Sequence, residues 1–132
     1  MIYIYLFILG RILIGGFFLK SGYNHFKNLS GMAGYAQSKG VPMPKQAVIV
    51  TGIMLALGGL GLILGAYVQF SISLLSVFLI ITTFMMHRYW EDKDQMARMG
   101  NHVNFYKNLA LLGGLLMLLS IPLPWAYSLF LF

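Results

Sequence analysis

The segment AVIVTGIMLALGGLGLILGAY, residues 47–67, decides the fold. It carries no charge, and as a helix rising 1.5 Å per residue it would reach about 31 Å, the thickness of a bilayer's hydrocarbon core. Its glycines are not scattered. Gly58, Gly61 and Gly65 fall on one helical face, while Gly52, Ala56 and Gly59 fall nearly opposite. In lipid there is no apolar driving force between helices, so small residues mark where backbones approach closely. Two small-residue stripes predict a central helix with a neighbour on each side. Gly15–Gly16 and Gly113–Gly114 offer similar contacts on flanking helices.

Three further apolar runs lie outward from this segment, at about 1–19, 70–86 and 105–121. The expected fold is therefore all-α, an integral membrane four-helix transmembrane bundle forming one domain over 1–132. The fourth run meets Pro122 and Pro124, so the aromatic tail 122–132 either completes that span or lies at the interface. The first run lacks a basic leader and a small-residue cleavage site, and is expected to be retained as a helix. Composition agrees. Of 132 residues, 59% are hydrophobic and 9% charged, against roughly a quarter charged in soluble domains.

The basic residues set an orientation. Of nine Lys and Arg, all but Arg11 fall in two connections. Lys20, Lys27, Lys39 and Lys45 lie in 20–46, and Arg88, Lys93, Arg98 and Lys107 in 87–107. The short connection near Val68 and Gln69 holds none, and neither terminus holds one. The positive-inside bias then places both basic loops in the cytoplasm and both termini outside. Trp125 and Tyr127 suit the outer interface, Tyr89 and Trp90 the inner one. The same distribution explains the net charge of +6 without nucleic acid. The connection 20–46, with Gly31, Gly34, Gly40, Pro42 and Pro44, is expected to lie on the membrane or fold back into the bundle. Glu91, Asp92 and Asp94 read as a solvated loop.

Several chemistries are excluded. With no cysteine there is no disulfide, thiol nucleophile, thiolate zinc site or iron–sulfur cluster. No carboxylate-rich metal set, phosphate loop or nucleophile elbow is present, so no metal and no self-contained catalytic motif are expected. Catalytic residues stay unknown.

Arg11 is the residue that most needs explaining. Counted from the first residue it lies about 15 Å down, where an arginine costs about 2.5–3.5 kcal/mol on insertion scales. No acid occurs in any span, leaving backbone carbonyls, hydroxyls, water, a ligand or another subunit as partner. Arg11, Gly15, Phe18, Gly22 and His25 fall within about 40° on a helical wheel. Ser76, Thr83 and His87 form a similar stripe on the third helix. The expected ligand-binding set is thus Arg11, Phe18, His25, Ser76, Thr83 and His87, lining one cavity with the arginine deep inside and the imidazoles at its mouth. A quinone or phenol suits such chemistry, since its oxygen accepts from guanidinium and imidazole. Against this, a histidine at a helix end ordinarily caps or meets the interface. Two histidines also make bis-histidine haem ligation conceivable, though no covalent cofactor is expected. His102, beside Asn101 and Asn104, is expected to be solvated.

Arg11 followed by Gly15-Gly16-Phe17, Gly22 and His25 resembles the opening of DoxX-family membrane proteins. Tyr35 through Gly40-Val41-Pro42-Met43-Pro44 is similar to the family's Gly-x-Pro segment. His87-Arg88-Tyr89-Trp90, then Asn104 to Gly114, carries the resemblance across nearly the whole chain. It implies a four-helix bacterial inner-membrane protein, some relatives being the small membrane subunit of a thiosulfate:quinone oxidoreductase and others linked to catechol or quinone resistance or redox-stress complexes. The chain departs at Leu55, where many members carry glutamate. The resemblance thus favours an accessory membrane subunit or quinone-handling component of redox metabolism, working with other membrane subunits or as a homo-oligomer. A non-catalytic assembly subunit is the alternative. A solute carrier would want inverted repeats or broken helices, and neither is evident.

Overall fold

The central helix starts and stops where its punctuation dictates. Pro44 occupies its first turn, where a missing N–H costs nothing, and Gly65 ends it in the left-handed region at φ 68°. The computed structural model describes residues 1–129. Their order is α1 (Ile2–Lys27), α2 (Leu29–Ser38), α3 (Pro44–Leu64), α4 (Val68–Met86), a 3₁₀ turn at Tyr89–Glu91, and α5 (Gln95–Leu119). The end of the tail, 130–132, lies outside the described residues.

The connection 20–46 folds back into the bundle, one of the two arrangements expected, and is largely helical: α1 runs on to Lys27, and α2 packs onto α3 with Ala36 buried. Gly40, at φ 81°, follows α2 and reverses the chain toward Pro44. The connection 87–107 is also half helix, because Asp94 caps α5 by accepting from the Ala97 amide at 2.9 Å. Among the described residues, three helical segments are long and apolar enough to cross a membrane: Ile2–Lys27, Pro44–Leu64 and Val68–Glu91. The first half of α5 carries Arg98, Asn101, Asn104, Lys107 and Asn108, and only beyond Leu109 does it become apolar. The expected four helices are therefore five, one of them short.

The two glycine stripes on α3 do face two neighbours. A Cβ on Gly59 would sit 2.6 Å from the Gly15 carbonyl oxygen, and one on Gly52 would sit 2.9 Å from the His25 Cβ, so this face meets α1. On the other face, a Gly58 Cβ would come 2.5 Å from the Leu75 side chain, and Gly61 is closed off by Ser71 of α4. Leucine knobs complete that seam: Leu55, Leu62, Ile72 and Leu75 are fully buried. The expected partners of Gly16, Gly113 and Gly114 are absent among the described residues, since nothing lies within 4 Å of a Cβ built on any of them. Helix α5 packs on α4, and α1 on α3, so the two outer helices flank a cleft instead of closing on each other.

Candidate functional site

The stripe predicted on α1 is its buried face, residue for residue: Arg11, Gly15, Phe18, Gly22 and His25. Its role differs from the one expected. Gly15 and Gly22 let α1 lie directly against the α3 backbone, so the stripe is a packing seam with a polar group at each end. Fourteen residues separate those ends, about 21 Å of helix.

At one end, Arg11 reaches the last turn of α3. Its Nε donates to the Leu62 carbonyl at 3.2 Å and Nη2 to that of Ile63 at 2.9 Å. Nη1 donates to the Ala126 carbonyl at 2.7 Å, and Nη2 also to that of Tyr127 at 3.4 Å. The final carbonyls of a helix have no intrahelical donor and carry its negative dipole end. Here all four are satisfied: Gly61 by the Ala66 amide, Leu62 and Ile63 by Arg11, and Leu64 by the Leu129 amide. The guanidinium lies beside an edge-to-face pair of rings, Phe7 and Trp125, at 5.7 and 5.5 Å from their centroids. Of the partners open to Arg11, the structure selects backbone carbonyls. Arg11 is level with the end of α3, not its middle, because the first turns of α1 project past α3 beside the C-terminal segment.

At the other end the two predicted histidines come together. His25 and His87 line a cavity of about 470 Å³ walled by α2, α3 and α4, with Met32, Val48, Phe78, Ile81 and Met86 supplying apolar surface. They also line a smaller one of about 240 Å³ that opens between α1 and α5. Phe18 and Leu55 line that second cavity, so the position where the resemblance expects glutamate faces it as leucine. Arg11, Ser76 and Thr83 line neither. Thr83 is buried in the core, the adjacent Thr82 faces both cavities, and Ser76 Oγ is enclosed without a partner. The expected single cavity holding the arginine with both histidines is not formed among the described residues.

Non-local contacts hold the imidazoles. His25 Nδ1 lies 3.1 Å from the Val48 carbonyl and 3.1 Å from Thr51 Oγ1. His87 Nδ1 lies 3.0 Å from Asn101 Oδ1, and Asn101 Nδ2 donates to Asp92 at 2.7 Å. Lys39 pairs with Asp92 at 3.4 Å, Arg88 donates to the Lys39 carbonyl at 3.2 Å, and Tyr35 donates to the Met86 carbonyl at 3.3 Å. These bonds fasten α2 across the cavity and bring the two basic connections to one end of the molecule. They also correct the reading of the acidic loop as merely solvated. The bond from Asn101, reinforced by Lys39, holds the Asp92 carboxyl below its usual range. Nearby, exposed His102 meets Tyr89 edge-on at 4.7 Å and Tyr106 at a tilt at 4.9 Å, within an aromatic cluster that includes Trp90 and Phe105.

Sequence reasoning missed Tyr35, Thr51, Thr82 and Asn101. Two of them left a trace: Asn101 as a polar residue one helical turn before Asn104, and Tyr35 at the start of the segment leading to Gly40-Val41-Pro42. Among the described residues no group of three His, Cys, Asp or Glu could hold a metal.

Apolar helices zipped by glycine, with a cavity at one end and a satisfied arginine at the other, define a small helical membrane protein with a candidate ligand site. The chain belongs to the DoxX family, whose model matches residues 6–88. It is similar to two proteins of Escherichia coli (strain K12). One is the inner membrane protein YphA, 31% identical over 125 residues, covering 94% of this chain and 87% of that one. The other is the inner membrane protein YqjF, 30% identical over 124 residues, covering 92% and 86%. No solved structure gives a significant match.

Proposed function

We propose that the chain is a four-span bacterial inner-membrane protein whose two-histidine cavity handles a quinone-class ring, as an accessory component of redox metabolism. The observation that carries this reading is the apolar cavity of about 470 Å³ with two imidazoles in its wall. That volume falls within the range of small-molecule sites, and sparse polar groups in an apolar lining are what such sites use for orientation. Family membership supports the redox link by resemblance. The apolar half of α5 with the following segment would supply the fourth span. The shared end of the two basic connections supports a topology with both in the cytoplasm and both termini outside. No residue of the chain carries electrons unaided, so any oxidoreductase activity belongs to it as a subunit. Open space beside Gly113 and Gly114 on α5 favours one second reading, a subunit that packs against another membrane helix for assembly.

Extraction with native lipids, followed by mass spectrometry for quinones and co-purifying proteins, tests both. A stoichiometric quinone lost in Ala47→Phe, which fills the cavity, and kept in Arg11→Leu supports the first reading. The reverse pattern would move the site to the arginine end. A stoichiometric protein partner without any small molecule would favour assembly.

A further inference from the structure

The larger cavity has no Lys, Arg, Asp or Glu in its lining, which suits a neutral occupant. What hydrogen-bonding part that occupant plays follows from the polarity of the bonds behind the two imidazoles. A carboxylate only accepts, so Asp92 requires the NH₂ side of Asn101 to face it. Asn101 Oδ1 is thereby turned toward His87, and an amide oxygen also only accepts. The hydrogen between them belongs to His87 Nδ1. The same logic applies to His25, whose Nδ1 faces the Val48 carbonyl, another pure acceptor. Each neutral imidazole carries one hydrogen, so in both rings Nε2 is left as a lone pair. Neither Nε2 has a partner among the described residues, and neither is enclosed.

Two other donors in the lining, Thr51 and Tyr35, are already directed elsewhere. Thr51 gives its hydrogen to the Ala47 carbonyl at 2.7 Å, and Tyr35 to the Met86 carbonyl. Asn28 and Thr82 can take either role, so the bias comes from the histidines.

We infer that the cavity recognises a neutral apolar molecule through its hydroxyl hydrogens, a phenol or hydroquinone, with His25 Nε2 and His87 Nε2 as acceptors, in preference to the matching carbonyl compound. This rests on the proposed reading of the cavity as a ring-binding site, and it names the redox state that site holds. A hydroquinone offers hydrogens to both lone pairs. A quinone presents two further lone pairs to them. Asn101 is a positioning residue, since it fixes the His87 tautomer without lining the cavity.

The test compares three probes on the purified full chain in nanodiscs, by anaerobic equilibrium dialysis: trimethylhydroquinone, its dimethyl ether and trimethylbenzoquinone. The hydroquinone is expected to bind about tenfold tighter than either of the others, as two hydrogen bonds of ordinary net strength would give. Equal or tighter binding of the ether or the benzoquinone overturns the inference while leaving the cavity a ring site. Binding of none of the three overturns the ring-site reading and this inference with it. A second measurement reads the tautomers without any probe. Histidine ¹⁵N spectra of the unliganded protein should show His25 and His87 as Nδ1–H tautomers, and Nε2–H forms would refute the assignment.

Discussion

The two ends of the α1 seam treat a buried polar side chain in opposite ways. Arg11 commits its guanidinium to four backbone carbonyls and lies against a pair of aromatic rings. His25 and His87 each anchor one nitrogen and leave the other open beside a cavity. Burial and ionisable chemistry are common to both ends, and what separates them is how many hydrogen-bonding positions are already spent. The costly residue here holds the fold together, and the unremarkable ones face a space that something else can enter.

The sharpest way to break this contrast is Arg11→Leu. Leaving the Leu62, Ile63, Ala126 and Tyr127 carbonyls without their donor is expected to cost about 3 kcal/mol, as buried unsatisfied groups do. Thermal unfolding in detergent should show the loss, and the segment 121–129 should become protease-sensitive, while ring binding at the histidine end changes less than about twofold. Unchanged stability with lost binding would invert the assignment of the two ends. Next comes Gly15→Ala, whose Cβ would meet the Gly59 carbonyl oxygen and Ile63 at 2.6 Å. It should cost about 1–3 kcal/mol as overpacking does, whereas Gly16→Ala, with open space around it, should be neutral or stabilising by up to about 1 kcal/mol. Similar melting shifts for the two variants would mean that α1 does not lie on α3 in this register.

At the histidine end, Asn101→Leu removes the acceptor of His87 and a partner of Asp92. A destabilisation of about 1–2 kcal/mol is expected, together with a mixed His87 tautomer visible by ¹⁵N spectroscopy. An unaltered His87 signal would detach Asn101 from its positioning role. The smallest effect is a pH dependence of the fastening of α2. The folded-state pKa of Asp92 is depressed, so its stabilisation is present above the unfolded value and lost as pH falls through the folded one. Amide exchange in α2 should therefore quicken below about pH 4, close to the ordinary carboxylate pKa. Asp92→Asn should flatten that rise, and a rise unchanged by the substitution would assign it to another group.

What the sequence revealed depended on periodicity. The two glycine faces of α3 and the buried face of α1 follow from 3.6 residues per turn, and the structure places them as read. Helix α2 left little trace, because ten residues with two glycines carry no strong helical signature and fold by docking on α3. Counting from residue 1 could not place Arg11 relative to α3, since the overhang of the first turns of α1 past the end of α3 is a matter of register between helices. The site was half legible. Both histidines fall on stripes that a helical wheel displays, but Tyr35, Thr51, Thr82 and Asn101 join them only through contacts between helices. Thr82 in place of Thr83 is an error of one position, about 100° around the helix, which no periodicity argument resolves in a helix apolar on every side.

The carbonyls that receive Arg11 are made at very different times. Leu62 and Ile63 follow it by 51 and 52 residues, Ala126 and Tyr127 by 115 and 116. At ordinary translation speeds, roughly 6–23 seconds pass between synthesis of the arginine and of its last acceptors. Throughout that interval the first helix holds a charge whose coordination is incomplete. The finished arrangement is in effect a checksum on synthesis. A chain interrupted before Ala126 would keep the Leu62 and Ile63 acceptors but leave Nη1 of Arg11 without the carbonyl it meets in the finished fold.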